Sequence, residues 1–277
     1  QSSWSASNWT VDNDSGGGDG ALNAPGGYDP GSWIGAAGVD TWNGLSDTNW
    51  ATAANWASGS IPASTDKVFI RQSSNNPTIS TDVPLSDLTV KSGGVLSITS
   101  SGSLSLTGDF SNSGAVTLNS DAQNFSSLIV QGASSGNIIY KRWIADEGSN
   151  EWDLIGSPVA GQSVSSFVSD NTSLADHSTQ YAIGVFSNDG STDTAVAMYT
   201  NYTQSVIDLD DPDFISGQGY AMATDEADTP GTTLDFTGTV RTTDLIGVAI
   251  DDNTANAANF GKWNLVANPY PSYLNAN

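Results

Sequence analysis

The chain has 277 residues, 37% of them hydrophobic, with 7 Lys and Arg against 30 Asp and Glu and a formal charge of −23. That length supports one large or two ordinary cores, and such a charge repels nucleic-acid phosphates and anionic membranes, so neither is an expected partner. The lack of cysteine removes disulfides, thiolate catalysis and zinc–cysteine centres. No apolar run approaches the ~20 residues of a membrane-crossing helix, so membrane insertion is not expected. Gly, Ser, Thr and Asn dominate while helix formers are scarce, which reads as all-β.

Residues 1–40 are Gly-rich and unpatterned, with "SGGGDG" (Ser15–Gly20) and "APGGYDPGSW" (Ala24–Trp33). Composition predicts a flexible N-terminal arm, tied down by Trp4, Trp9, Tyr28 and Trp33 on its own domain or on a neighbouring copy. The start at Gln1 lacks a basic segment followed by an apolar one, as in a mature secreted chain. Within the arm, "DNDSGGGDG" sets Asp12, Asp14 and Asp19 around flexible glycines, a candidate calcium loop.

The stretch "TWNGLSDTNWATAANW" follows and carries Trp42, Trp50 and Trp56. Exposed on one flat face, these indoles would stack on sugar rings. Buried, they would cap the open end of a solenoid whose first coil otherwise leaves apolar surface wet. Their uneven spacing does not place all three on one strand face, and they sit just ahead of the first strand, so the cap is the favoured reading.

Across 41–140 a Trp-rich cap leads into short apolar pulses: "KVFI" (67–70), "LTV" (88–90), "VLSI" (95–98), "LSL" (104–106), "AVTL" (115–118), "SLIV" (127–130) and "NIIY" (137–140). Apolar and Ser/Thr positions alternate within them, and turn residues separate them at intervals of roughly 8 to 12 residues. This predicts a short-strand β-solenoid-like domain, although a Greek-key sandwich would space its strands similarly.

Over 141–277 the strands lengthen, as in "YAIGVFSN" (181–188) and "TLDFTGTV" (233–240), and predict an antiparallel, jelly-roll-like β-sandwich. Trp152-Asp-Leu-Ile-Gly-Ser-Pro158 is echoed by Trp263-Asn-Leu-Val-Ala-Asn-Pro269. A domain that reuses the segment so near its end is expected to continue past Asn277. "DLDDPD" groups Asp208, Asp210, Asp211 and Asp213 as a second calcium candidate, without the bidentate Glu of an EF-hand. The alternative for both acidic runs is solvated turns.

Catalytic chemistry is sparse. His177 is the single histidine, and no Gly-x-Ser-x-Gly accompanies it. A glycoside hydrolase needs only two carboxylates; Glu151 beside Trp152 is the one candidate with an apolar neighbour.

The order Trp-Asn-Gly…Asn-Trp…Asn-Trp…Ile-Pro…Asp-Lys-Val-Phe-Ile (Trp42 to Ile70), with "GSPVAGQSVSSF" (156–167), "SGQGYAM" (216–222), "LDFTGTV" (234–240) and "WNLVANPYPSYLN" (263–275), resembles large secreted proteins of Bacteroidota exported by type IX secretion. The resemblance covers about 41–277. It implies a secreted or surface-attached protein of a Gram-negative bacterium, acting as an adhesin, a matrix component or the non-catalytic part of an enzyme. It also implies O-glycosylation at an Asp-Ser/Thr-hydrophobic motif, matched by Asp193-Thr194-Ala195. The expectation is therefore a non-catalytic extracellular structural or adhesive protein that assembles with itself through the arm, with Trp4, Trp9 and Trp33 in that contact. The alternative is a carbohydrate-binding or accessory module of a polysaccharide-degrading enzyme, with extracellular polysaccharide as its partner.

Overall fold

The structure is a computed structural model that describes residues 38–149, 152–188, 199–250 and 263–274. The arm with Trp4, Trp9, Trp33, Asp12, Asp14 and Asp19 lies outside the described residues, as do Glu151 and Asp193-Thr194-Ala195.

Among the described residues, twelve strands occupy the first half. They are Val39–Trp42 (β1), Lys67–Ile70 (β2), Thr78–Ile79 (β3), Asp82–Leu85 (β4), Asp87–Val90 (β5) and Val95–Ile98 (β6), then Ser103–Leu106 (β7), Phe110–Asn112 (β8), Ala115–Leu118 (β9), Ser127–Val130 (β10), Ser134–Ser135 (β11) and Asn137–Ala145 (β12). They wind into a β-solenoid with three parallel faces, ordered β1-β2-β5-β8-β11, β3-β6-β9-β12 and β4-β7-β10. One coil takes up roughly 20 to 24 residues, since Lys67 lies opposite Asp87, Leu88 opposite Phe110 and Phe110 opposite Ser134.

Alternation decides what faces inward. On one face Ile79, Ile98, Leu118 and Tyr140 stack in register. On another, Leu85, Leu106 and Val130 do so, and all seven are buried. Each inward side chain is therefore covered by its counterpart in the next coil, while Ser and Thr point outward between them.

The corners follow from backbone demands. At one, the Asp87 carboxylate accepts from the Asp109 N–H at 2.9 Å, and Asp109 in turn accepts from the Ala133 N–H at 2.8 Å. Partial burial pushes the Asp87 carboxyl upward, but bonds from the Ser86 hydroxyl, the Asp109 N–H and Lys67 outweigh it and hold the group below its ordinary value. At another corner Gly114 passes so close to the coil beneath that a Cβ would stand 2.3 Å from the Gly94 carbonyl oxygen.

Strand β12 joins the two halves. Its solenoid portion pairs parallel with β9, while its whole length pairs antiparallel with Gly231–Thr239 (β18) from Asn137↔Thr239 to Ala145↔Gly231. Lys141 reinforces the ribbon with bonds of 2.7 and 2.8 Å to Asp235. The boundary expected at 140 thus falls inside a continuous strand.

The second half adds Asp153–Ile155 (β13), Asp176–His177 (β14), Gln180–Phe186 (β15), Tyr199–Thr203 (β16) and Tyr220–Met222 (β17). They form an antiparallel sheet in which β17 lies between β13 and β15, while β14 and β16 pair with β15. Two short helices not foreseen from the sequence, Val164–Asp170 (α1) and Gln204–Asp210 (α2), start where the Ser163 and Thr203 hydroxyls accept the Ser166 and Val206 N–H groups. Phe167 of α1 packs 4.7 Å from Phe236 of β18 and 5.1 Å from Phe214, which meets Tyr220 of β17 at 5.2 Å. The β12–β18 ribbon and the five-stranded sheet thereby share one aromatic core.

The echoed segments have a common partner. β13 runs antiparallel along Tyr220–Met222, and Val266 bridges Gln218 with flanking bonds from Gly219 and to Gly217. At the fifth position of each copy, a Cβ on Gly156 would lie 2.3 Å from the Ala267 Cβ, so glycine is required in the first copy.

Gly114→Ala is expected to destabilise the fold by on the order of 2 kcal/mol, because the added methyl meets rigid backbone of the neighbouring coil. A urea melt that matches the parent would show that the coils can separate freely at this corner.

Candidate functional site

The three indoles of the opening coil are buried. Trp42, Trp50 and Trp56 are 1%, 4% and 2% exposed, with ring centroids 4.6 to 6.3 Å apart. Two of their N–H groups are spent internally: Trp42 donates to the Asn75 carbonyl at 2.7 Å and Trp56 to the Trp50 carbonyl at 2.9 Å. No indole face is left for a sugar or a neighbouring chain, so the three serve as the cap and neither as a sugar platform nor as an assembly contact.

Their segment also closes strand edges. Ala57 N–H reaches the Thr41 carbonyl at 2.9 Å beside the Trp42–Trp56 bridge, covering β1. Trp50 N–H donates to the Thr78 carbonyl, and Thr78 N–H to that of Thr48, covering β3. Asn55, fully buried, ties the loop together. Its side-chain oxygen accepts from the Ser46 and Asp47 N–H groups at 2.8 and 3.1 Å, and its amide donates to the Asp47 carboxylate at 2.7 Å and the Asn49 carbonyl at 3.1 Å. The bond from Asn55, with others from the Asn49 N–H and Thr52 hydroxyl, holds the Asp47 carboxyl below its ordinary value.

The acidic run at the end of α2 is engaged otherwise than in a metal loop. Asp208 accepts from Gln204 at 2.7 Å, Asp211 turns left-handed and accepts from the Ser165 N–H at 3.1 Å, and Asp213 bridges Ser163. These contacts join α2 to the start of α1. Among the described residues no three His, Asp or Glu side chains come together as a metal group, so Asp208, Asp210, Asp211 and Asp213 do not converge on one. His177 lies in the tight β14–β15 turn, mostly exposed, with Nε2 3.0 Å from Glu147.

A concave site that sequence reasoning missed lies where the solenoid meets the second half. A cavity of about 260 Å³ is lined by Phe125, Tyr140, Arg142, Leu154 and the segment around Asn268. Arg142 projects from β12, with its guanidinium carbon 4.1 Å from the Phe125 ring centroid. Its Nε is buried without an acceptor. Burial pushes the Tyr140 phenol up to about 12, with the Arg142 charge opposing the rise, and the hydroxyl donates to the Ser126 carbonyl at 2.7 Å. The segment 263–274 forms one wall: Leu128 N–H donates to the Pro271 carbonyl at 2.7 Å, and Tyr273 stacks 4.3 Å from Phe125. The sequence signal was the adjacent pair Lys141-Arg142 in a chain with only 7 basic residues. Open indoles occur at the echoed segments, where Trp152 and Trp263 are 36% and 67% exposed.

Residues 41–277 match a family described as a domain of unknown function (DUF8693). The chain belongs to that family. No curated protein and no solved structure matches it. The stretch that matches DUF8693 contains the cap, the solenoid, the antiparallel half and the cavity, and begins just after the arm.

Two consequences for the cap can be measured. Asn55→Leu leaves two backbone N–H groups without their acceptor and is expected to cost about 3 kcal/mol in a denaturant melt. Because the Asp47 carboxyl titrates lower in the folded chain than its ordinary 3.8, its stabilisation is full above that value and is lost as pH falls through the folded one. Tryptophan emission should therefore shift to the red on acidification below about pH 4, with part of that dependence absent in Asp47→Asn; identical profiles would contradict this role.

Proposed function

We propose that the chain is a non-catalytic extracellular structural element, a stiff building block of a surface fibre, layer or stalk on a Gram-negative bacterium. The observation that carries this reading is the continuity of the body. Coils stacked in register run through β12 into an antiparallel ribbon without an intervening linker. A body of this kind resists bending because each coil is hydrogen-bonded to the next along its length.

We assign self-assembly to the arm. The cap covers the outer edges of β1 and β3, and β18 covers the far edge of β12. Free edge pairing is blocked there, which is how soluble β-proteins avoid indiscriminate stacking. The arm expected over 1–40 ends before β1, which begins at Val39, and its residues 1–37, with Trp4, Trp9 and Trp33, are the segment we assign to contact with a second copy. A secreted or surface-attached address, which the resemblance to type IX-exported proteins implies, supports this role.

Light scattering and negative-stain imaging of the full chain and of a chain lacking residues 1–37, which leaves β1 whole, test the proposal. Higher-order particles formed by the full chain and lost on deletion are the expected result, with the far-ultraviolet circular dichroism of the remaining β-fold retained. A full chain that stays monomeric at high concentration would overturn it.

A further inference from the structure

The geometry points to a binding site for a small ring bearing a carboxylate, a single uronic acid unit, in the cavity beside Arg142. This goes beyond the structural role and does not rest on it, since a chain that fails to assemble keeps the same cavity.

The first reason is charge. In a chain of net −23 the positive side chains are expected to be neutralised locally, and Lys67 and Lys141 are, by Asp87 and Asp235 at 3.3 and 2.7 Å. Arg142 has no carboxylate partner among the described residues and stacks on a neutral ring. A guanidinium held against an aromatic face keeps its edge free for a planar carboxylate, which it can meet with two parallel hydrogen bonds. Its Nε is buried out of a ligand's reach, so the terminal Nη1 and Nη2 are the atoms that would meet the carboxylate.

The second reason is shape. A cavity of about 260 Å³ lies below the usual size of a drug-like pocket and suits one sugar ring rather than an oligosaccharide. Leu154 and Leu265 supply apolar surface for the C–H face of a pyranose. The wall opposite is held open by Asn268, which donates to the Ser272 carbonyl and accepts from the Tyr270 N–H at 3.0 Å. The rest of the surface is strongly acidic and disfavours a polyanion lying along it, so a monosaccharide or the end of a chain is the fitting occupant.

Titration calorimetry or ligand-observed NMR with D-galacturonate, D-galactose and acetate on the full chain tests this. Saturable galacturonate binding at least tenfold tighter than that of galactose or acetate is expected. Arg142→Gln should weaken it tenfold or more while Arg142→Lys retains part, each variant checked by its melting temperature. The parent protein decides the matter even if a variant fails to fold. Equal binding of galacturonate and galactose, or no saturable galacturonate binding at tens of millimolar, would overturn the assignment. Addition of oligogalacturonides separates the sources: competition that depends on chain ends assigns the site to a polymer terminus, and competition by the monomer alone assigns it to the free sugar, both within the proposal.

Discussion

A parallel coil buries its inward side chains only when something lies above and below it. Inside the solenoid the neighbouring coils supply that cover, as Ile98 does for Ile79 and Leu118. At the first coil nothing in the repeat can. The Trp42–Trp50–Trp56 cluster fills that place with large flat side chains, and its loop occupies the backbone groups that a missing coil would have bonded. The far end is closed differently, by reversing direction: β18 lies antiparallel on β12 and commits the chain to a second, antiparallel body. The edges of β1 and β3 at one end and of β12 at the other thus meet the same constraint, one end with aromatic volume and a polar loop, the other with a strand from about a hundred residues downstream.

Much of the solenoid was legible because its alternation is strict. Lys67–Ile70, Val95–Ile98, Ala115–Leu118 and Ser127–Val130 lie where their apolar pulses predict. The third strand of the first coil was not, because "DVPL" carries Pro84; β4 tolerates it as an edge strand whose one ladder partner is β7. Two-residue strands such as Thr78–Ile79 and Ser134–Ser135 are too short to show a period. The helices were not legible because each is only seven residues long and neither N-cap, Ser163 or Thr203, is followed three residues on by the Glu or Gln of a capping box.

The candidate site was less legible for a physical reason. The tryptophans drew attention as ligand platforms because spacing cannot reveal burial, and three closely spaced indoles look alike whether they face water or each other. Arg142 was overlooked because its importance depends on Phe125 beneath it and on the returning segment at Pro271, contacts between residues far apart in the chain. The aspartates show the same limit. Asp87 and Asp109 serve as corner acceptors and Asp211 as a helix-to-helix tie, uses that depend on which N–H the fold brings near.

The central claim is that the capped solenoid and the antiparallel half form one mechanical body through β12. Native-state hydrogen exchange resolved to single amides tests it most directly. The account predicts that the slowest amides of Ile70, Val90, Ile138 and Leu234 share one opening free energy and one dependence on denaturant, as members of a single cooperative unit. Solenoid amides that open at distinctly lower denaturant than those of β12 and β18, or the reverse, would contradict it.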